Sequence, residues 1–188
     1  KQQYGNEKPR VFRLTKDQAL INRLGFNNDG AEVVRKRIES NSPDSLLGIN
    51  IGPNKDSKDM INDFIKCAEI FFPLGDYITV NISSPNTPGL RDFHKIEVLD
   101  KLLLKINQVR EKSNFNKFFL LKVSPDLENS SVDNITKLIL EHKIDGVILT
   151  NTTDKNRENL LDKKKEEVGG LSGRPLKDLS TRFIKKFY

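Results

Sequence analysis

The run Asn81-Ile82-Ser83-Ser84-Pro85-Asn86-Thr87-Pro88-Gly89-Leu90 concentrates amides and hydroxyls directly behind an apolar, β-branched stretch. Two prolines stiffen such a loop and fix where its polar groups sit. Side-chain amides offer donor and acceptor without charge, so the loop suits a planar ligand with hydrogen-bonding edges. No histidine lies near Ser84 in the sequence to form a triad with its hydroxyl.

Polar residues also close three other apolar runs: Asn50, Lys122 and Asn151. An unpaired ammonium is costly to bury, so Lys122 at the end of Phe-Phe-Leu-Leu calls for an anionic or electron-rich partner. A snorkelling surface lysine is the bland alternative, as a loop cap is for each asparagine. Gly169-Gly170-Leu171-Ser172-Gly173 reads as a turn whose backbone NH groups could approach a phosphate.

The elements that must position these residues are legible in the pattern. Short apolar runs at 46 to 51, 77 to 82, 118 to 123 and 146 to 150 predict strands buried on both faces. Between them, Met60, Ile61, Phe64, Ile65, Ala68, Phe71 and Phe72 recur at helical spacing, as do Leu99, Leu102, Leu103, Ile106 and Val109, then Val132, Ile135, Leu138 and Ile139. Ser57 is the expected cap of the first helix and Ser130 or Ser131 of the third, and a fourth helix is expected after Pro175. The order βαβαβαβα implies parallel strands with right-handed crossovers, in a barrel or an open doubly wound sheet. Polar residues at four equivalent strand ends favour the barrel, whose sites lie at those ends. Val11-Phe12-Arg13-Leu14 and Ala19-Leu20-Ile21-Asn22 have a different character and read as a short excursion before the repeats begin.

Composition narrows the classes. The 188 residues, 36% hydrophobic and 31% charged, suit one globular unit with a real core. The net charge of +6 invites a nucleic-acid or anionic-surface reading, but the basic residues alternate with acids, as in Lys163-Lys164-Lys165-Glu166-Glu167, and form no aromatic-basic pattern. No nucleic-acid partner is expected. Cys67 is the only cysteine, and His94 and His142 stand far apart, so neither a disulfide framework nor a metal cluster is expected. No apolar run approaches the roughly 18 residues of a membrane span.

With the loop through Arg91 included, the motif resembles the active-site loop of class 2 dihydroorotate dehydrogenases, Asn-x-Ser-Ser-Pro-Asn-Thr-x-Gly-Leu-Arg. A Pro-rich Asx turn would explain Asn and Pro separately but not the motifs that accompany it. Gly5-Asn6-x-Lys8-Pro9-Arg10-Val11-Phe12-Arg13-Leu14 and Asn22-Arg23-Leu24-Gly25-Phe26-Asn27 are similar to the same family, with Leu24 where many members carry Tyr. So are Gly48-Ile49-Asn50-Ile51-Gly52, Lys122-Val123-Ser124-Pro125-Asp126-Leu127, Thr150-Asn151-Thr152-Thr153 and Gly169 to Gly173. Their order resembles the family's strands three to six.

The resemblance implies a fragment, residues 1 to 188, of an FMN-binding (β/α)8 TIM barrel, with about four βα units present and strands missing on either side. It implies that Asn50, Asn81, Lys122, Thr150, Ser172 and Gly173 meet FMN. Substrate, dihydroorotate going to orotate, would meet Asn22, Arg23, Leu24, Gly25, Phe26, Asn81, Asn86, Asn151 and Thr152. Ser84 would take the C5 proton while hydride leaves C6 for the flavin, with Thr87 and Phe26 bordering the onward proton path. Serine at position 84, where class 1 relatives carry cysteine, implies a membrane quinone as electron acceptor. It also implies a peripheral membrane location, bacterial cytoplasmic or mitochondrial inner, reached through an N-terminal extension outside this chain. A class 1 dihydroorotate or dihydropyrimidine dehydrogenase, an inactive truncated barrel and a basic binding module are the rival readings.

Overall fold

The computed structural model describes residues 1 to 41 and 43 to 188. Four of its strands form one parallel sheet in sequence order: β3 (Gly48–Ile51), β4 (Tyr77–Asn81), β5 (Phe118–Lys122) and β6 (Gly146–Ile148). Each is followed by a helix or long connection, and α2 (Met60–Phe71), α3 (Ile96–Lys112) and α4 (Asn129–Glu141) join the neighbouring strands. Right-handed crossovers between adjacent strands put all three helices on one face. The sheet is open among the described residues, with β3 and β6 at its edges. The observed architecture is thus a parallel α/β layer.

Alternation along the strands sorts the side chains. Ile49, Ile51, Ile78, Val80, Phe119 and Leu121 join Phe64, Phe72, Leu99, Leu102 and Leu103 in the main core. Residues one step out of phase, Asn50, Thr79, Asn81, Leu120 and Lys122, must point to the opposite face. That core comprises most of the positions expected from helical periodicity, and burying a side chain such as Leu102 or Phe64 contributes roughly 1.5–3 kcal/mol each.

The expected excursion is a second, antiparallel sheet. β1 (Val11–Leu14) and β2 (Ala19–Asn22) make a hairpin around a 3-10 turn at Thr15–Asp17, and β7 (Gly170–Gly173) adds to β2. The Gly169 to Gly173 segment is therefore a strand rather than a turn over most of its length. Leu171 is in register with Ile21 on β2, and its NH donates to Thr153 O at 2.6 Å in a separate antiparallel bridge. Two glycines flanking Leu-Ser concealed that pairing, because its partner lies far away in the sequence.

Smaller differences have local causes. α2 is capped by Asp59, whose carboxylate accepts from Asn62 N at 3.0 Å, not by Ser57. α4 starts at Asn129, so Ser130 and Ser131 lie inside its first turn. α1 (Ala31–Ser40) buries no residue fully; Arg35 pairs with Glu32 and Glu39 on its surface, while Ala31, Val34 and Ile38, a short stripe at helical spacing, pack half-buried against the main core. The expected final helix is α5 (Lys177–Phe187).

Candidate active site

β-sheet register sets the floor of the site. Asn81 lies level with Lys122 on the neighbouring strand, and Asn50 level with Thr79, so three of the four polar strand ends share the face opposite the helices. Beyond β6 the chain returns over Val123, where Asn151 N donates to Val123 O at 3.0 Å, bringing Asn151 and Thr152 to the same rim. Asn22 ends β2, and Gly25 and Phe26 follow it with φ of 73° and 52°, a left-handed turn that folds the segment back over the rim. Asn86 Nδ2 donates to Asn22 O at 3.2 Å and ties the loop after β4 to this turn.

These pieces enclose a cavity of about 310 Å³. Asn50, Asn81, Lys122, Asn151 and Thr152 line it from the sheet side, Ser84, Pro85 and Asn86 from the loop, and Asn22, Leu24, Gly25, Phe26 and Asn27 from the turn. Residues up to 130 positions apart in sequence are thereby brought together, Asn22 and Thr152 being the extremes. Lys122 is the one ionisable side chain among the described residues of this lining.

The amides are held by a directional chain of hydrogen bonds. Thr152 N donates to Asn151 Oδ1 at 2.8 Å, and Asn151 Nδ2 donates to Ser83 Oγ at 2.8 Å. Ser83 Oγ then donates to Asn81 Oδ1 at 2.8 Å, reinforced by Ser83 N at 3.1 Å. Ser83 is fully buried, and sequence reasoning overlooked it in favour of its neighbour. The signal was present: two residues beyond Asn81 along an extended run puts it on the same side as Asn81.

Ser84 is buried at the loop's start, and its Oγ accepts from Asn86 N at 3.2 Å. A backbone NH aimed at that oxygen favours negative charge there and eases the loss of the serine's own proton. Lys122 is half-buried and makes no ion pair among the described residues; burial alone pushes the pKa of its ammonium below the ordinary value.

Five of the expected site residues stand off this cavity. Arg23 turns its guanidinium away, pairing with Glu167 at 2.8 Å and lying 4.4 Å over the Phe12 ring. Thr87 is buried, its carbonyl accepting from Leu90 N, and Thr150 Oγ1 donates to Asn151 O at 3.0 Å. Ser172 and Gly173 line a different hollow with Arg13, Gln18 and Leu20.

Two supports escaped the sequence reading. Arg91, at the end of the loop, binds Asp126 at 3.0 Å and Asp154 at 2.9 Å, so one guanidinium joins the connections after β4, β5 and β6. Asp126 also accepts from Thr153 Oγ1. Burial works to raise the pKa of the Asp154 carboxyl, but the charge of Arg91 and hydrogen bonds from the cluster outweigh it and hold it below the usual range. Nearby, burial and then the charge of Arg91 push the His94 imidazole down to about 4. The second support is Gly170: a Cβ there would fall 1.9 Å from Thr152 Oγ1 and 3.4 Å from Pro85 Cγ, so only glycine lets β7 close this wall.

A family model described as dihydroorotate dehydrogenase matches residues 1–188. A Rhodopseudomonas palustris (strain BisA53) protein named dihydroorotate dehydrogenase (quinone) is 45% identical over 193 residues, covering 100% of this chain and 53% of the relative. A protein of the same name from Idiomarina loihiensis is 46% identical over 189 residues, covering 97% and 56%. The solved structure of DHODH in complex with ferulenol from Eimeria tenella superposes with a TM-score of 0.95 at 36% identity, covering 100% of this chain and 57% of that one. The chain spans about half the length of the curated relatives it matches.

Proposed function

The chain belongs to the dihydroorotate dehydrogenase family, and from that premise we propose that it carries the substrate half of an FMN-dependent site that oxidises dihydroorotate to orotate. The observation that carries this reading is the convergence of Asn22, Asn50, Asn81, Asn86 and Asn151 with Ser84 and Lys122 on one small cavity. A dihydropyrimidine is bounded by imide and carboxylate edges. Neutral amides match such edges.

FMN fits the donor set. A half-buried lysine without a carboxylate partner gains from an electron-rich ring edge, and Asn50 and Asn81 on the same face supply further polar contacts. Thr150, Ser172 and Gly173 would hold parts of the cofactor beyond this cavity. When bound, the flavin supplies the hydride acceptor.

The chain's own residues do the rest. Asn22, Asn86, Asn151 and Thr152 would orient the pyrimidine, with Leu24, Gly25 and Phe26 as its apolar cover and Arg23 as the anchor of their turn through Glu167. Ser84 would accept the substrate proton after passing on its own, with the Asn86 NH stabilising the oxygen between these events. Thr87 and Phe26 would border the exit of that proton.

The same reading makes this parallel α/β layer part of a closed (β/α)8 barrel, residues 1 to 188 being an internal portion of one domain. It also makes a membrane quinone the final electron acceptor and the whole protein a peripheral membrane enzyme, docked on the membrane surface through an extension outside this chain, with no nucleic-acid partner. Serine rather than cysteine at position 84 and the quinone-linked names of the relatives support it.

The test uses the full-length parent. Dihydroorotate added without oxygen should bleach the visible absorbance of bound flavin, and a quinone should restore it. In Ser84→Ala the bleaching rate should fall about 10²–10⁴-fold, the usual worth of a positioned base. Bound flavin that dihydroorotate leaves oxidised would overturn the substrate assignment.

A further inference from the structure

We propose that Ser83 is a positioning residue that orients the amides of Asn81 and Asn151 and so makes the cavity wall at Asn81 a pure hydrogen-bond donor. The inference rests on the substrate reading above and extends it from which residues meet the ligand to what the ligand must present there.

Two backbone NH groups fix the orientation of both amides. An NH can only donate, so the atom of Asn151 facing Thr152 N is Oδ1, which leaves Nδ2 facing Ser83 Oγ. Likewise the atom of Asn81 facing Ser83 N is Oδ1. Ser83 Oγ accepts from Asn151, so its one proton is free to go to Asn81 Oδ1, and the 2.8 Å separation is that of a sound O–H to O bond. Every link has one polarity only.

The consequence falls on the cavity. Asn81 Oδ1 is occupied by two donors, and Asn81 Nδ2 has no partner among the described residues. An amide held this way offers NH and rejects NH. A ligand edge bearing a carbonyl or a deprotonated nitrogen is accepted at Asn81, and an edge bearing a ring NH or an amino group meets donor against donor. The Lys122 ammonium, level with Asn81 on β5, adds to the preference for an electron-rich edge. Without the Ser83 hydroxyl, Asn81 keeps one NH partner, Asn151 Nδ2 loses its acceptor, and the Asn151 side chain is freer to swing.

The test is a double-mutant cycle in the full-length, flavin-loaded enzyme, using Ser83→Ala, Asn151→Ala and the pair, with substrate dissociation constants read from anaerobic flavin bleaching. Ser83→Ala should weaken dihydroorotate binding about tenfold, the scale of one buried donor left unpaired, with flavin content retained. Because Ser83 acts partly through Asn151, adding Ser83→Ala to Asn151→Ala should weaken binding by clearly less than Ser83→Ala does in the wild-type background, the remainder being its bond to Asn81. Losses that multiply, or a Ser83→Ala enzyme with unchanged substrate affinity, would overturn the proposal. If Ser83→Ala loses its flavin, Ser83→Cys keeps the volume with a weaker donor and acceptor, and the same cycle decides the matter. Wild-type enzyme that dihydroorotate fails to bleach would instead sink the substrate reading itself, before any variant is compared.

Discussion

Arg91 stands outside the cavity, yet the structure makes it the most consequential charge near the site. Its guanidinium serves Asp126, whose side chain is 6% exposed, and Asp154, which is 44% exposed. The Asp154 arm is largely solvent-screened and contributes about 0–1 kcal/mol. The Asp126 arm differs, because Arg91→Ala leaves a buried carboxylate without its cation, a loss of about 3–5 kcal/mol in comparable pairs. Thr153 Oγ1, Ser124 Oγ and Asp154 N still donate to Asp126, which places the expected cost near the lower end, about 3 kcal/mol.

Urea unfolding of the full-length protein measures this directly. Arg91→Lys, which cannot fork to two carboxylates, should lose about 1–2 kcal/mol. In the Asp126→Asn background, Arg91→Ala should cost only about 1 kcal/mol, since no buried charge remains to be orphaned. The depressed pKa of Asp154 adds a pH signature: its contribution is present above the ordinary carboxylate value of 3.8 and is lost as pH falls through the folded one. An Arg91→Ala protein less than 1 kcal/mol weaker than wild type, or one equally weakened in both backgrounds, would refute the reasoning that a buried staple holds this loop.

Two other variants probe the wall and the floor of the cavity. Gly170→Ala needs Thr152 Oγ1 to retreat by roughly 1.5 Å, from 1.9 Å to an ordinary 3.4 Å contact; overpacking of that kind costs about 1–3 kcal/mol, and a misplacement of this size at a substrate contact should cut kcat/KM on the order of 10²-fold, so unchanged kinetics would show that Thr152 orients nothing. Lys122→Met should raise the melting temperature of the flavin-free protein near neutral pH while weakening flavin retention. The folded pKa of Lys122 is depressed, so the unfolded state binds more protons and wild-type stability climbs with pH up to the ordinary 10.5, closing the gap to the variant; a gap that does not narrow would contradict burial as the cause.

How much of this could be read in the sequence depended on the range of the interactions. β4 and β5 were legible because β-branched and aromatic runs carry their own signature, and α2, α3 and α4 because each lays a periodic stripe on the sheet. The cavity residues of the β4 loop and of Asn22 to Phe26 were legible through motif. β7 was not, because Gly-Leu-Ser-Gly acquires strand character only by pairing with β2, as in the Ser172 Oγ to Leu20 O bond across 152 positions. The pairing of Arg91 with Asp126 was invisible for the same reason: both residues stand in motifs, but only the fold brings them together and buries one of them. Arg23 is the converse case, a residue named through its neighbours whose own side chain turns to Glu167.

The distribution of charge around the cavity ties these observations to chemistry. The acids of the neighbourhood are spent: Asp126 and Asp154 on Arg91, Glu167 on Arg23. None lines the cavity among the described residues, so Lys122 carries the one formal charge there, and the amide NH of Asn81 beside it has the same sign. A neutral serine at position 84 belongs to the same arrangement, since a carboxylate base there would pair with the lysine and cancel the potential that draws in an anion. With Ser84 as the proposed base, the cost of its weak basicity would be met by the fixed Asn86 NH at Ser84 Oγ, which would support developing charge only while a proton is in transit. On the proposed reading the site would combine a permanent positive field for binding with a transient negative one for proton transfer. That separation requires the ionic staple to stay outside the cavity, where Arg91 lies.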